Sequence, residues 1–442
     1  MSTLFRHLVD QQELRAFDAF VSEFKRIASD LGMSGVEPGE KTFEAWYYAQ
    51  RRPQRAARRV LINMFGYPMD QLWGPAPAGT PPSTSPPPNT PVMETRVACG
   101  TDLNEMRKVG AMAARRAKDF VLGTERDRVG DEALGFLDDE VTRLVADYPR
   151  VPLSDIWADL ANAQDDAFRL LEGGRLRASQ LRDLNFEATV LSFLMAKGSH
   201  DMGDPQTAMI QARVALACAK EAEHEGLLAL VNGLKSLISY WAGRPEDAVH
   251  FARQGSAHAS PLSGTVGLWT LGLEARAAAL LGDEASARTA NQSAVEKREQ
   301  VVPDDLDTLG GLLTYPEAKQ LYYTVESEVL LGHGDAHLTG QAETAVNNFS
   351  DPDDPAWAFG DMAGARCNLA LVHLYAGDLD GVATAIRPVL DLPPRLRNNG
   401  IVVSAQRVRQ ALTQPHMRNA LVARELREEI ASYELRRPAL PR

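Results

Sequence analysis

A recurring loop constrains the fold of this chain more than any other sequence feature. A glycine is followed five residues later by alanine or valine at Gly173/Ala178, Gly203/Ala208, Gly243/Ala248, Gly282/Ala287 and Gly377/Val382, and Gly334-Asp335 marks a further loop. Glycine ends helices readily, and a small residue lets the next helix pack closely. Intervals of 30 to 52 residues separate these glycines, against an ideal period of about 34 for tetratricopeptide repeats. The pattern predicts an all-α, tetratricopeptide-like solenoid over residues 125–442, with lengthened repeats.

A proline-rich linker is predicted over residues 75–92, where eight of the 26 prolines lie. Proline lacks a backbone donor and restricts φ, so neither a helix nor a sheet continues through such a stretch. The linker separates residues 1–74 from the solenoid. We expect residues 93–124 to form a connecting helix between the linker and the repeats.

The N-terminal 74 residues read as a small bundle of short helices. Apolar residues recur at three- and four-residue steps from Phe17 to Leu31, around Trp46, and from Ala57 to Phe65. Several short helices with a tight turn between two of them are typical of a helix-turn-helix domain. We therefore predict a helix-turn-helix bundle over residues 1–74.

Charge is distributed unevenly along the chain. The net charge is -12, but residues 1–74 carry +1, which leaves -13 on the remainder. Phosphate binding needs cations, so any DNA contact is expected in the N-terminal unit. No apolar run is long enough to cross a membrane, and the N-terminus does not resemble a secretory signal. With three widely spaced cysteines, these features predict a cytoplasmic protein without a disulfide framework.

Catalytic and metal-binding motifs are missing from the sequence. There is no Gly-x-Ser-x-Gly elbow, no phosphate-binding loop and no dinucleotide fingerprint. His333 and His337 flank Asp335, but they lie in a glycine-rich turn rather than at helical spacing. We expect a protein that is not an enzyme and that needs neither a cofactor nor a metal.

The whole arrangement resembles the Xre/Cro-type transcriptional regulators that carry a C-terminal tetratricopeptide domain, as found in actinobacteria. The matching stretches are Phe43–Leu61, Met64–Trp73, Tyr240–Ala248, Asp304–Gly311, Trp357–Asp361 and Arg387–Pro394. The resemblance implies an N-terminal unit that reads DNA and helical repeats that form a homodimer. By analogy with related regulators, it also implies an effector, either a short peptide or a small molecule, in the groove of the repeats.

Candidate DNA-binding residues lie on and after the expected recognition helix, Lys41 to Gln50. Its outward positions that could contact bases or phosphates are Lys41, Thr42, Glu44 and Tyr48. Five arginines follow within nine residues, Arg51, Arg52, Arg55, Arg58 and Arg59. Arginine pairs with phosphate oxygens through two hydrogen bonds, so this run could anchor the DNA backbone; the alternative is a solvated basic face.

Candidate effector-binding residues are aromatic and polar side chains in the repeats. They are Tyr240, Trp241, Arg244, Tyr322, Tyr323, Arg366, Asn368, Asn398, Asn399 and Arg407. Asparagine can pair with a peptide backbone through one donor and one acceptor. Most aromatic residues in stacked helical hairpins belong to the core, which is the alternative for each of them.

Two functions remain open at this point. The first is a DNA-binding transcriptional regulator whose repeats dimerise and sense a peptide or small molecule. The second is a tetratricopeptide adaptor that acts through protein contacts and no longer binds DNA. The acidic net charge and the Tyr47-Tyr48-Ala49-Gln50 run in the expected recognition helix favour the second.

Overall fold

A computed structural model describes residues 3–11, 14–30, 37–49, 53, 55–65, 67, 69–74, 131–173, 176–415 and 417–435. These residues are helical, with connecting turns and no β-strand, which confirms the predicted all-α class. The chain divides into two compact units, residues 1–97 and 98–442. The predicted linker at 75–92 and connecting helix at 93–124 lie outside the described residues.

The described residues of the N-terminal unit form five short helices around an aromatic core. The helices are α1 (Leu4–Gln11), α2 (Phe17–Asp30), α3 (Glu40–Tyr47), α4 (Arg55–Phe65) and α5 (Met69–Leu72). The rings of Phe20 on α2 and Phe43 on α3 stack with centroids 4.2 Å apart. The predicted tight turn between two of these helices stays a prediction before α3, because residues 31–36 lie outside the described residues.

The larger unit is a series of antiparallel helices. Its first half contains α6 (Asp131–Asp147), α7 (Leu153–Gly173), α8 (Ala178–Asp201), α9 (Pro205–Glu221), α10 (Glu225–Trp241), α11 (Pro245–Ala259), α12 (Val266–Leu280) and α13 (Glu284–Arg298). Its second half contains α14 (Asp305–Leu309), α15 (Glu317–Leu330), α16 (Ala336–Asn347), α17 (Phe359–Tyr375), α18 (Leu379–Leu390), α19 (Asn399–Ala411) and α20 (Leu421–Leu435). Six pairs of helices pack as hairpins: α8/α9, α10/α11, α12/α13, α15/α16, α17/α18 and α19/α20.

Glycine in the left-handed region ends the first helix in five of these hairpins. Gly203, Gly243, Gly282, Gly332 and Gly377 have φ between +71° and +85°. After α8, the amide of Gly203 donates to the carbonyl of His200, and that of Asp204 donates to Ser199. Two backbone carbonyls at the helix end are thereby satisfied. The Asp204 side chain then caps α9 by accepting from the amide of Thr207.

The small residues of the recurring loops behave as predicted in four of five cases. Ala208, Ala248, Ala287 and Val382 are at most 1% exposed, because the second helix of each hairpin packs closely there. Ala178 departs from the pattern: it is exposed at the start of α8. Gly173 ends α7 and Ala178 begins α8, without the buried small residue of the other loops.

The helices form an inner and an outer set. The inner set is α8, α10, α12, α15, α17 and α19, which are the first helices of the hairpins. Most of these helices are buried over much of their circumference: α10 carries buried residues at thirteen of its seventeen positions. A helix that is apolar all round belongs in the interior. The outer helices α9, α11 and α13 instead bury stripes of alanine.

The two ends of the repeat series meet. Arg150, after α6, donates to the carbonyls of Pro352 and Asp354, more than 200 residues further along the chain. The amide of Phe359 donates to the carbonyl of Pro149 at 3.2 Å. Helix α19 also contacts α8. The inner helices consequently surround a common space instead of lining an open groove.

An insertion between α13 and α15 contributes to this closure. Residues 304–313 form α14 and a short 3₁₀ turn, and both contact α6. Gly311 has φ +51° and approaches the carbonyl oxygen of Val145 so closely that a Cβ would collide with it. The long intervals between the recurring glycines therefore correspond to loops that reach across the unit.

No helix within the described ranges is long and apolar enough to cross a membrane.

The capping glycines can be tested with one pair of substitutions. Neither Gly243 nor Gly340 has any atom within 4 Å of the position a Cβ would take, but only Gly243 has positive φ. We expect Gly243→Ala to lower the free energy of unfolding by about 1 kcal/mol. Gly340→Ala, inside α16, should raise it by roughly 0.5–1 kcal/mol. Denaturant unfolding followed by circular dichroism measures both, and equal effects would contradict the assignment.

Candidate functional site

The inner helices enclose a cavity in the larger unit. The space open to the centres of water-sized molecules within it is about 100 Å³. Six inner helices and the loops near Pro149 and Leu312 supply its wall. The polar and charged lining residues are Tyr148, Lys197, His200, Asp201, Arg276, Lys319, Tyr322, Tyr323, Asp361, Asn398 and Ser404. The cavity therefore combines charged and aromatic groups in one lining.

A buried ionic network adjoins this cavity. Arg276 on α12 is 1% exposed, and its Nε lies 2.8 Å from Oε2 of Glu326 on α15. The other carboxylate oxygen of Glu326 accepts from the hydroxyl of Tyr240 at 2.7 Å and from Nη1 of Arg407 at 2.9 Å. One carboxylate is thus shared by two guanidinium groups that come from different hairpins.

Burial and charge act in opposite directions on this network. Burial by itself would neutralise Glu326, but Arg276 and Arg407 hold its pKa below the usual value. Burial likewise opposes the charge on Arg276, while Glu326 holds its pKa above the ordinary range. All three groups are therefore ionised at neutral pH, and the trio carries one uncompensated positive charge.

Arg276 has unused donor capacity. Its Nη2 is buried without a hydrogen-bond partner. Its Nε lies close to Oε2 of Glu326, but the two atoms are not aligned for a hydrogen bond. The guanidinium carbon lies 4.0 Å from the ring centroid of Tyr323 and 4.5 Å from that of Tyr240. The rings hold the guanidinium in place through cation–π contact, but they do not accept its hydrogen bonds.

Two further ion pairs line the cavity. Lys319 lies 3.1 Å from Asp361, and Lys197 lies 2.6 Å from Asp201. Tyr148 donates to the same Asp201 carboxylate at 2.8 Å. Each of these lysines is matched by one carboxylate, so neither pair changes the net charge of the cavity.

Aromatic side chains form much of the remaining wall. Phe193, Trp241, Trp269, Tyr322, Tyr323 and Phe359 line the cavity together with Gly360, Gly364 and Gly400. His200 is 3% exposed, and burial lowers its pKa to about 4. The imidazole is therefore neutral at physiological pH and acts as part of an uncharged wall.

The ten residues predicted to form an effector groove fall into three groups. Trp241, Tyr322, Tyr323 and Asn398 line the cavity. Tyr240 and Arg407 belong to the buried network beside it. Arg244, Arg366, Asn368 and Asn399 are not part of the lining; Arg244 is exposed at the start of α11, 3.6 Å from Asp247.

Six charged groups of the site are not among the residues predicted from the sequence. Arg276 and Glu326 lie in the network, and the pairs Lys197–Asp201 and Lys319–Asp361 lie in the wall. The sequence does contain a signal for Arg276. It and Glu274 are the two charged residues of the otherwise apolar Leu273–Leu281 segment. A charged residue buried in an apolar helix requires a partner, and that requirement points to a polar site.

The expected recognition helix presents part of its predicted surface. Lys41, Glu44 and Tyr48 are exposed, and Thr42 is half-buried. Phe43, Trp46 and Tyr47 are buried, as expected for core residues. The Tyr47 hydroxyl donates to Asp10 at 2.7 Å, which fixes α3 against α1.

The arginine run is only partly within the described residues. Arg58 is exposed, and its Nε donates to the carbonyl of Pro53 at 2.8 Å. Arg51 and Arg52 lie outside the described residues, as do the side chains of Arg55 and Arg59. The run therefore contributes one observed guanidinium, on the N-terminal half of α4.

A scan against protein-family models and a search of curated proteins returned no match.

The buried network predicts a stability effect at Tyr240. Tyr240→Phe removes the hydroxyl that contacts both Glu326 and Arg407, and should lower the free energy of unfolding by about 1–3 kcal/mol. Tyr375→Phe is the matched control, because that hydroxyl makes only a long contact of 3.4 Å to a carbonyl and its side chain is partly exposed. Urea unfolding of both variants measures the difference, and a neutral Tyr240→Phe would argue against the network.

His200 predicts a component of the pH dependence of stability. Its pKa is lower in the folded protein than the usual 6.5, so the unfolded chain binds an extra proton between pH 6.5 and 4. This contribution destabilises the protein as pH falls through that window, by on the order of 3 kcal/mol in total. His200→Gln should remove this loss.

The control for that measurement is His250→Gln on the exposed side of α11. The difference in unfolding free energy from the parent is measured for both variants across this pH range. For His200→Gln it should change in favour of the variant as pH is lowered from 6.5 to 4. Parallel curves for the two variants would show that the imidazole of His200 accepts a proton in the folded state.

Proposed function

We propose that this chain is a transcriptional regulator that binds DNA through residues 1–74 and senses an effector in the cavity of its repeat unit. The observation that carries the proposal is the cavity between the inner helices, where a buried guanidinium has an unused donor beside aromatic walls. Pockets with a few convergent polar groups in an apolar lining are the usual sites for small ligands. The resemblance to Xre/Cro-type regulators with tetratricopeptide repeats supports the assignment of the N-terminal unit.

The DNA-binding half rests on the surface of α3 and α4. Lys41, Glu44 and Tyr48 are exposed on α3, and Arg58 is exposed on α4. A short helix entering the major groove reads bases from its N-terminal residues, while nearby arginines bind phosphate. A small reader of this kind gains affinity when two copies bind two half-sites, so the proposal includes a homodimer.

One observation favours the adaptor as a second candidate. The expected recognition helix buries Tyr47 against Asp10 and presents Tyr48, where a helix in the major groove presents polar side chains to the bases. An adaptor with the same repeats would bind a protein partner and would not require that polar surface. The two candidates differ in whether residues 1–74 are needed for DNA occupancy.

Genome-wide DNA occupancy of the full chain, compared with a chain lacking residues 1–74, tests the proposal. We expect discrete sites for the full chain that disappear with the deletion, because the cationic and aromatic surface of α3 and α4 is removed. If neither chain is enriched at discrete DNA sites, at moderate salt and across growth phases, the result would favour the adaptor.

The same sites allow the phosphate role to be measured. Arg55→Ala together with Arg58→Ala should weaken binding to every sequence and reduce the salt slope by about two, one for each lost phosphate contact. Lys25→Ala on α2 is the control, since Lys25 pairs with Glu37 within the unit. An unchanged salt slope in the double variant would assign the phosphate contacts to other residues.

A further inference from the structure

We propose that the cavity binds the carboxylate of a small organic acid with a planar apolar body, and that Arg276 is the cation that receives it. This inference rests on the proposed sensing role and specifies the chemistry of the effector. It uses three properties of the site: the charge balance, the unpaired donor of Arg276 and the aromatic walls.

The charge balance favours a ligand with one negative charge. Four cations meet three carboxylates in and next to the cavity: Lys197, Arg276, Lys319 and Arg407 against Asp201, Glu326 and Asp361. His200 is neutral and adds nothing. A carboxylate would bring this group to neutrality, whereas a phosphate dianion would leave an excess negative charge in a buried site.

The unpaired donor locates that carboxylate at Arg276. Buried polar groups nearly always have hydrogen-bond partners, and a buried donor without one costs about 1–3 kcal/mol. Nη2 of Arg276 is such a donor, in a side chain that lines the cavity and is 1% exposed. A carboxylate accepts from a guanidinium in its own plane, and this pairing is the strongest that the group can make.

The other charged groups offer less to an incoming acid. Lys197 and Lys319 are each held by a carboxylate at 2.6 and 3.1 Å. Arg407 already donates to Glu326 and to the hydroxyl of Tyr240. Arg276 is the cation whose donor group lacks an acceptor among the described residues that surround the cavity.

The walls specify the body of the ligand. Trp241, Trp269, Tyr322 and Tyr323 surround the space next to Arg276, and flat aromatic faces pack best on planar apolar groups. The cavity volume suits a small molecule or the last residue of a peptide. Both sources present the same carboxylate and apolar group, so the experiment is designed to distinguish them.

The test compares acids with their uncharged amides on the full-length protein. The small-molecule probes are trans-cinnamate and cinnamamide, and the peptide probes are Gly-Gly-Phe with a free or an amidated C-terminus. Tryptophan fluorescence reports binding, since Trp241 and Trp269 line the cavity. We expect at least one acid to bind about tenfold or more tightly than its amide.

The two probe pairs separate the sources of the carboxylate. Preference for cinnamate over its amide identifies a free small acid, and preference for the peptide acid identifies a peptide C-terminus; either supports the proposal. Equal affinity of acid and amide in both pairs, or binding of no probe at about 10 mM, which corresponds to less than about 3 kcal/mol of affinity, overturns it.

Substitution at Arg276 then assigns the contact. Arg276→Lys keeps the positive charge near Glu326 but loses the planar pair of donors, so the acid should bind about tenfold more weakly while the amide is unaffected. Arg288→Lys on the outer helix α13 is the control, since its side chain is 69% exposed. Undiminished acid preference in a folded Arg276→Lys protein would overturn the role of Arg276, and the comparison on the unaltered chain stands even if that variant fails to fold.

This experiment is independent of DNA binding. Acid-specific binding without any DNA occupancy would leave the carboxylate site in place and refute the regulator. DNA occupancy without acid-specific binding would refute the carboxylate site and leave the regulator in place.

Discussion

The interior of the repeat unit depends on one carboxylate shared by two guanidinium groups. Glu326 contacts Arg276 on α12 and Arg407 on α19, with Tyr240 of α10 as a third partner. Removing one partner of a buried ion pair leaves an uncompensated charge, which typically costs 3–5 kcal/mol. These helices must therefore keep their relative positions, because the buried carboxylate of Glu326 stays charged only with both guanidinium groups beside it.

Closure of the unit explains the irregular repeat length. Tetratricopeptide hairpins of ideal length stack into an open superhelix, whereas here the segments at 304–313 and 350–358 extend inward and contact α6 or the turn after it. Arg150 fixes the later segment through two backbone carbonyls. The extra residues between the recurring glycines thus convert an open groove into a small cavity, which limits its contents to a small molecule or a chain end.

The candidate site was partly accessible from the sequence. Aromatic and polar side chains suit a groove, and the predicted Trp241, Tyr322, Tyr323 and Asn398 do line the cavity. The same reasoning predicts Arg366 and Asn368 in the groove, but these two residues do not line the cavity. Helical periodicity identifies the buried face of a helix, but it does not say which buried position faces a cavity and which faces the neighbouring hairpin.

The sequence by itself determined the all-α class and the hairpin turns after α8, α10, α12 and α17. These features depend on local chemistry: a glycine with positive φ at Gly203 or Gly377, an aspartate cap after it, and a small residue five positions on. Only the tertiary structure decided that Arg276 meets Glu326 and that Arg407, 81 residues beyond Glu326, joins them. Such contacts form only when separate hairpins pack against one another, and that packing is set across the whole unit rather than by any local pattern.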